Sequence, residues 1–321
     1  MSRKFGFTST TSDVLKDISL TGKRVLITGV SAGLGIETAR ALVAVGADVT
    51  GTARDLDKAA KVKSSLQETA HPMSGSFEII PLDLADLENV NACVESLVSQ
   101  GKPFDIIIAN AGVMAMPEGR TRNGIETQMG TNWLGHFALL RGITPLLREG
   151  SRVVILSSAA HHISDVDLDD INFEHSPYDK WLSYGRSKTA CALLALEFDR
   201  RYRDRGIRAT SVHPGGIRTE LQRHYPEEEE AALVESINAA NAASGQPPFS
   251  YKTIPQGAAT SVWAAAVALS DEIGGRYCED CHVASIDDSD GIHGGVRSYA
   301  CSQDKARALW EKGEALMQKL V

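Results

Sequence analysis

The chain has 321 residues, enough for one large domain or two small ones. Its 43% hydrophobic and 23% charged residues are the balance of a globular chain, not of a disordered or fibrous one. With 33 basic against 41 acidic residues the net charge is −8, which argues against a nucleic-acid partner.

No apolar run reaches the roughly 18 residues of a membrane span. The amino terminus, MSRKFGFTSTTSD, has no apolar segment of the kind a secretory signal carries. A cytoplasmic protein with reduced thiols is the expectation. Residues 1–21 read as an N-terminal arm. From there short apolar runs alternate with longer segments of helical period. Arg24–Thr28 (RVLIT) reads as a buried strand, 37–45 as a helix ending at Gly46, and 48–52 and 77–82 as the second and third strands. Leu87–Ser99 reads as a helix, Phe104–Ala109 (FDIIIA) as the fourth strand, and 124–147 as a helix. The fifth strand falls at 152–157, a helix at 184–203, the sixth strand at 207–213 and a short seventh at 281–284, before a C-terminal helix over 305–320. Strands alternating with helices predict βαβ crossovers. The expected fold class is therefore α/β: one Rossmann-like, doubly wound parallel sheet of about seven strands with helices on both faces. Two stretches break the rhythm, a polar one over 159–182 and a longer insertion over 221–254 that reads as a lid, and both look like loops or short helices inserted into one fold.

Thr28-Gly29-Val30-Ser31-Ala32-Gly33-Leu34-Gly35 lies between the first strand and the first helix. The first glycine permits a tight turn, the second lets backbone approach a pyrophosphate, and the third lets helix pack closely on strand. The phosphates then meet the N–H groups at a helix N-terminus. The spacing is G-x-x-x-G-x-G, not the simplest dinucleotide fingerprint, and a glycine cluster by itself is also compatible with a merely structural turn. The second strand should end with the group that reads the adenosine ribose, an acid for a 2′-hydroxyl or an Arg for a 2′-phosphate. It runs into Gly51-Thr52-Ala53-Arg54, with Asp48 at the wrong end and Asp55 following. Arg54 therefore favours NADP(H) over NAD(H).

Tyr184-Gly185-Arg186-Ser187-Lys188 opens the helical segment at 184, and residues four apart share a helix face. A free phenol, with a pKa of about 10, serves poorly near neutrality, and a neighbouring cation lowers that value. Such a pair also occurs on ordinary solvated helices. Its weight comes from Asn110-Ala111-Gly112, Ser157-Ser158 and His213-Pro214-Gly215 at the carboxyl ends of the fourth, fifth and sixth strands, together with Asn132. An open α/β sheet binds its ligands at those ends.

These motifs resemble the short-chain dehydrogenase/reductase family, over about residues 20 to 300, and within it most resemble the retinol-dehydrogenase and WW-domain-oxidoreductase group. The closer likeness rests on MGTNWLGHF (129–137), SSAAHHI (157–163) and TARD (52–55). Two departures stand out. Ala109 occupies a position where the family often has Asn, and the segment after Thr219 is long. The resemblance implies hydride transfer between a nicotinamide and a carbonyl or alcohol carbon. It assigns Tyr184 as general acid/base, Lys188 as its activator and partner of the nicotinamide ribose, and Ser158 (over Ser157) as the partner of the substrate oxygen. Asn132 holds a water linking Lys188 to solvent. Gly29, Ser31, Gly33, Leu34 and Gly35 line the pyrophosphate, Asp83 and Leu84 flank the adenine, and Asn110 and Gly112 pack on the adenosine and ribose side. Pro214, Gly215 and Thr219 meet the nicotinamide end. The family is often dimeric or tetrameric, so a homodimer or homotetramer is implied beside a monomer.

The remaining features take plainer readings. Cys278-Glu279-Asp280-Cys281 is a lone CxxC near His282, His293 and Cys301, without the second ligand pair of a structural zinc site, so no metal is expected. His161 and His162 read as solvated or loop-capping, Glu227–Glu230 as a solvated helix start, and Trp133, Phe137, Trp263 and Trp310 as core or interface aromatics. Phe173, Tyr178, Trp181, Tyr225, Phe249 and Tyr251 point to a medium-sized, fairly hydrophobic small-molecule alcohol or ketone. Two rivals stay open: a same-fold epimerase, dehydratase or enoyl reductase, and an NADP(H)-binding sensor or scaffold without turnover. The motifs run from Gly29 to Thr219 and leave no second core, so a single domain over 22–321 is expected.

Overall fold

The computed structural model describes residues 5–68, 75–243, 245, 248–291 and 294–320. In chain order the elements are α1 (Thr11–Leu15), β1 (Arg24–Thr28), α2 (Gly33–Ala44), β2 (Asp48–Ala53), α3 (Leu56–Glu68), β3 (Phe77–Pro81), α4 (Leu87–Ser99) and β4 (Phe104–Ala109). There follow α5 (Gly135–Ile143), β5 (Leu147–Leu156), α6 (Lys180–Tyr202), β6 (Arg208–His213), α7 (Glu227–Ala243) and α8 (Ile254–Ala266). The chain ends with α9 (Ser270–Ile273), β7 (Tyr277–Glu279), β8 (His282–Val283) and α10 (Gln303–Leu320).

The strands form one sheet in the order β3-β2-β1-β4-β5-β6-β7-β8. All neighbours are parallel except β8, which returns antiparallel to β7. The central strands are runs of Val, Ile and Leu because both their faces are covered; every residue of β4 is buried. One face packs Trp133, Phe137, Phe198 and Trp310 with α4, α5, α6 and α10. The other packs Leu42, Val262 and Ala265 of α2 and α8, together with Val14 and Leu15 of α1. The N-terminal arm is thus part of that layer: Thr11 donates to Glu37 on α2, and Gln256 donates to the Thr8 carbonyl at 3.2 Å.

Two expectations need correction. The sheet has eight strands, not seven. The run at 281–284 is the return arm of a small hairpin whose first arm, β7, has three residues, too few to show a period. Asp280 and Cys281, at φ 45° and 58°, make its turn. The single helix expected over 124–147 is broken: Gly124 turns at φ 79°, Met129–Leu134 is a π-helical turn, and only then does α5 begin. Pro145, which has no N–H to give, ends it in a short 3₁₀ turn (Thr144–Leu146) ahead of β5. The insertion at 221–254 is largely helical. Thr219 caps a 3₁₀ turn (Glu220–His224), α7 follows, and Thr253 caps α8. The loop at 159–182 also carries structure. It opens with a 3₁₀ turn (Ala159–Ile163), and its acids hold turns: Asp170 accepts from the N–H groups of Glu174, His175 and Ser176.

Candidate active site

The strand order reverses between β1 and β4, and the carboxyl ends of the strands open there into a cleft of about 910 Å³. At one end of the cleft the chain leaves β1 through Gly29 at φ 75°, where a Cβ would stand 2.9 Å from the Cα of Ala111. Ser31, Gly33 and Leu34 line the cleft beyond it. Gly35 does not. It lies beneath the turn, where a Cβ would overlap the Gly29 carbonyl oxygen and stand 2.7 Å from Asn110 Nδ2. Its part is the close approach of α2 to the strands, so the pyrophosphate wall loses one of its expected members. The N-terminus of α2 has no side-chain cap and no acid in its first turn, which leaves backbone N–H groups for an anion. This cradle fits a dinucleotide pyrophosphate.

The far wall at this end holds Arg54, Lys58 and Arg223, together with Asp83 and Leu84. Asp55 also lines this wall, its Oδ1 accepting from the Lys58 N–H at 2.9 Å at the start of α3, and the Lys58 ammonium pairs with Glu220. Nothing in the sequence singles out Lys58, whose place depends on a mostly polar helix. On α3 it stands one turn from Arg54. Asn110 sits at the switch point, its Nδ2 donating to the carbonyls of Thr28 (2.8 Å) and Gly29 (3.2 Å).

The middle of the cleft is lined by Gly112, Ser158, Tyr184, Lys188, Pro214, Gly215 and Thr219. Asp179 caps α6 by accepting from the N–H groups of Trp181 and Leu182, so the helix starts one turn earlier than the sequence suggests. Lys188 Nζ lies 5.6 Å from the Tyr184 ring centroid and donates to the Leu156 carbonyl at 3.1 Å. The two serines lie just past the end of β5, with Ser158 in extended backbone, and they diverge as neighbours along a strand do. Ser157 is buried and donates to the Lys188 carbonyl at 2.7 Å, tying β5 to α6. Ser158 is half-buried on the cleft wall and accepts from the Ala160 N–H at 3.1 Å. Asn132 is not on the wall but directly behind it, fully buried in the π-helical turn. Its Nδ2 donates to the Val113 carbonyl and Ser187 Oγ, both at 2.9 Å, and its Oδ1 accepts from the Val113 N–H at 2.8 Å.

His161 is neither solvated nor a cleft residue. It is wholly buried, and its Nε2 accepts from the Arg297 N–H at 3.1 Å. The ring proton is therefore on Nδ1, 2.8 Å from the Ser158 carbonyl. Burial, with the neighbouring His162, pulls this ring down to about 3, so it stays neutral. His213 Nδ1 accepts from the Ala159 N–H at 3.1 Å, and burial beside Lys252 pulls it to about 3 as well. These rings brace the backbone around Ser158.

The open half of the cleft is bounded by Met114, Ile163, Trp181, Tyr225, Leu233, Ile237, Phe249 and Tyr251. Trp181 meets Tyr184 at 6.4 Å and Tyr225 at 4.7 Å, both edge-on. Phe173 and Tyr178 do not belong to this wall. They pack on each other at 5.2 Å, and the Tyr178 hydroxyl donates to the Met116 carbonyl. Glu229 and Glu230 are not simply solvated: Lys180 holds the first, and Tyr251 and Arg218 hold the second. Cys278 and Cys281 are buried, which pushes both thiols up to about 11. Among the described residues no group of three His, Cys, Asp or Glu is placed to hold a metal, and no helix is long and apolar enough to cross a membrane. His293 lies outside the described residues.

A family model described as short chain dehydrogenase matches residues 23–230. The chain is 41% identical over 300 residues to an oxidoreductase of Streptomyces lividans, covering 92% of this chain and 98% of that one. It is 33% identical over 298 residues to retinol dehydrogenase 11 of Homo sapiens, covering 92% and 85%. Among solved structures, an uncharacterised protein of Mycobacterium paratuberculosis superposes with a TM-score of 0.72 at 30% identity, over 97% of this chain and 98% of that one.

Proposed function

The chain belongs to the short-chain dehydrogenase/reductase family, oxidoreductases that take a nicotinamide cofactor, and we propose that it is an NADP(H)-dependent carbonyl reductase or alcohol dehydrogenase acting on a medium-sized, fairly hydrophobic substrate. The observation that carries the reading is one cleft in which the uncapped α2 turn, Ser158, Tyr184 and Lys188 all meet.

The cofactor supplies or accepts the hydride when bound. Gly29, Ser31, Gly33 and Leu34 would hold its pyrophosphate, Arg54 with Lys58 its 2′-phosphate, Asp83 and Leu84 its adenine, and Asn110 and Gly112 its adenosine and ribose side. Pro214, Gly215 and Thr219 would meet the nicotinamide end. The protein's own task is the proton and the orientation of the reacting oxygen. Ser158 hydrogen-bonds that oxygen. Tyr184 gives it a proton in reduction and takes one in oxidation. The Lys188 ammonium, with two N–H groups left after the Leu156 contact, steadies the charge on the phenol oxygen and bonds the ribose. Asn132 braces the Gly112–Val113 wall from behind and, on this reading, holds the water that links Lys188 to solvent. The aromatic and aliphatic wall from Met114 to Tyr251 favours an apolar substrate body by area burial. A homodimer or homotetramer remains part of the proposal, tested by sedimentation velocity.

The test is a panel of ketones and alcohols graded by size and polarity, followed by NADPH and NADH absorbance. Turnover that favours NADPH and rises with apolar bulk supports the reading. NADPH binding without turnover on any member would favour the sensor alternative.

A further inference from the structure

His136 lies on the first turn of α5, 1% exposed, with its ring wedged between Thr28 and Asn132. Nε2 is 2.9 Å from Thr28 Oγ1, and Nδ1 is 2.9 Å from the Asn132 carbonyl oxygen. Proton positions follow by elimination. Thr28 Oγ1 already accepts from the N–H groups of Asn110 and Ala111, each at 2.9 Å. These two donors fill its lone pairs, so its own proton points at the ring and Nε2 accepts. A neutral imidazole has one N–H, which is then on Nδ1 and donates to Asn132. Burial, reinforced by the charge of Lys188, pulls the ring to about 4 and keeps it in that form.

We propose that His136 is a positioning residue of the reaction centre, tying the Thr28 turn and the end of β4 to the carbonyl of Asn132. From there the chain of bonds continues. The Asn132 amide fixes Val113 on the cleft side and Ser187 on α6, next to Lys188, and Cys191 Sγ donates to the same carbonyl at 3.3 Å. One hydrogen-bonded path thus joins the floor of the cofactor turn to the helix that carries Tyr184 and Lys188. Asn132 sits in a π-helical turn, a short interruption of the regular ladder, and an imidazole N–H pins it there. The alternative is a histidine that merely fills its space with its polar atoms satisfied. The kinetic consequence rests on the hydride-transfer function proposed above, but the bonding pattern does not.

Two measurements decide. Nitrogen-15 NMR of the histidine rings in the unsubstituted protein should show two with Nδ1–H and an acceptor Nε2, His161 and His136, neither titrating between about pH 5 and 8. If only the His161 ring behaves so, because His136 carries Nε2–H or titrates near the ordinary value of about 6.5, the proposal is overturned whatever the protein turns over. The second is a double-mutant cycle on kcat with His136→Gln and Asn132→Ala. H136Q alone should lower kcat on the order of 10-fold while the NADPH Kd moves less than about 3-fold. In the N132A background the same change should cost less than about 2-fold, because His136 acts through Asn132. Independent losses that multiply, or an unchanged kcat in H136Q, would overturn it. A wild type silent on the whole panel removes the proposed function, and the NMR result still judges the bonding. Should H136Q fail to fold, the NMR experiment needs no variant.

Discussion

Arg54 and Asp55 are adjacent and pull cofactor choice in opposite directions. The sequence reading favours Arg54 and NADP(H), with Asp55 as the one complication, since an acid just past the second strand is what an NAD(H) enzyme uses. The hydrogen bond from the Lys58 N–H to Asp55 Oδ1 supports the proposed NADP(H) preference by giving Asp55 a role as cap of α3, although Asp55 lines the cleft beside Arg54 and the Lys58 ammonium pairs with Glu220. Arg54→Asp should therefore lower kcat/KM for NADPH by at least about 10-fold, with NADH affected far less, as expected from loss of one charge-assisted contact. Steady-state kinetics with both cofactors measures it, and an unchanged ratio would remove Arg54 as the phosphate reader. Ser157 and Ser158 show what was legible at this scale and what was not. The resemblance picks the second serine, but only strand geometry explains why the first is occupied with the Lys188 carbonyl. His136 gave no signal at all, since its meaning depends on Thr28, 108 residues earlier.

At the level of elements, the strands and the α2 turn were readable because buried strands are short apolar runs and the turn needs glycine at fixed places. Gly35 carries a sharp consequence. A methyl there would strike the Gly29 carbonyl, which is backbone and cannot swing aside. Gly35→Ala should cost at least about 1–3 kcal/mol of stability, the range for overpacking, and weaken NADPH binding as the turn is pushed open. Denaturant melts and a fluorescence titration check this; a wild-type Tm with wild-type affinity would contradict the close packing. The misses have physical causes too. Helix α3 is mostly polar, with few apolar residues to mark it. The π-helical turn cannot be told from an α-helix by hydrophobic spacing. The lid reads only as loops or short helices because its glutamates and alanines carry no apolar stripe, but four acids in the first turn favour the helix start found at Glu227.

On the scale of the molecule, the motifs converge only because the sheet order reverses between β1 and β4, which brings turns 80 to 190 residues apart in sequence to one edge. The same packing buries neutral histidines. His136 and His161 fall from an ordinary 6.5 to about 4 and about 3. The unfolded chain therefore takes up protons first. Their contribution is complete above about pH 6.5 and is lost as pH falls toward 3, each on the order of 3 kcal/mol. Melting temperatures across pH 7 to about 4 should decline steeply below 6.5, and a flat profile would contradict the neutral, buried rings. The central claim is that Tyr184 moves the proton in a site that binds NADP(H) independently of it. The most direct measurement is NADPH oxidation by wild type and Tyr184→Phe on the best ketone of the panel, with the NADPH Kd of both. The account predicts loss of turnover by at least about 100-fold with Kd changed less than about 3-fold. Full activity in Y184F would contradict it.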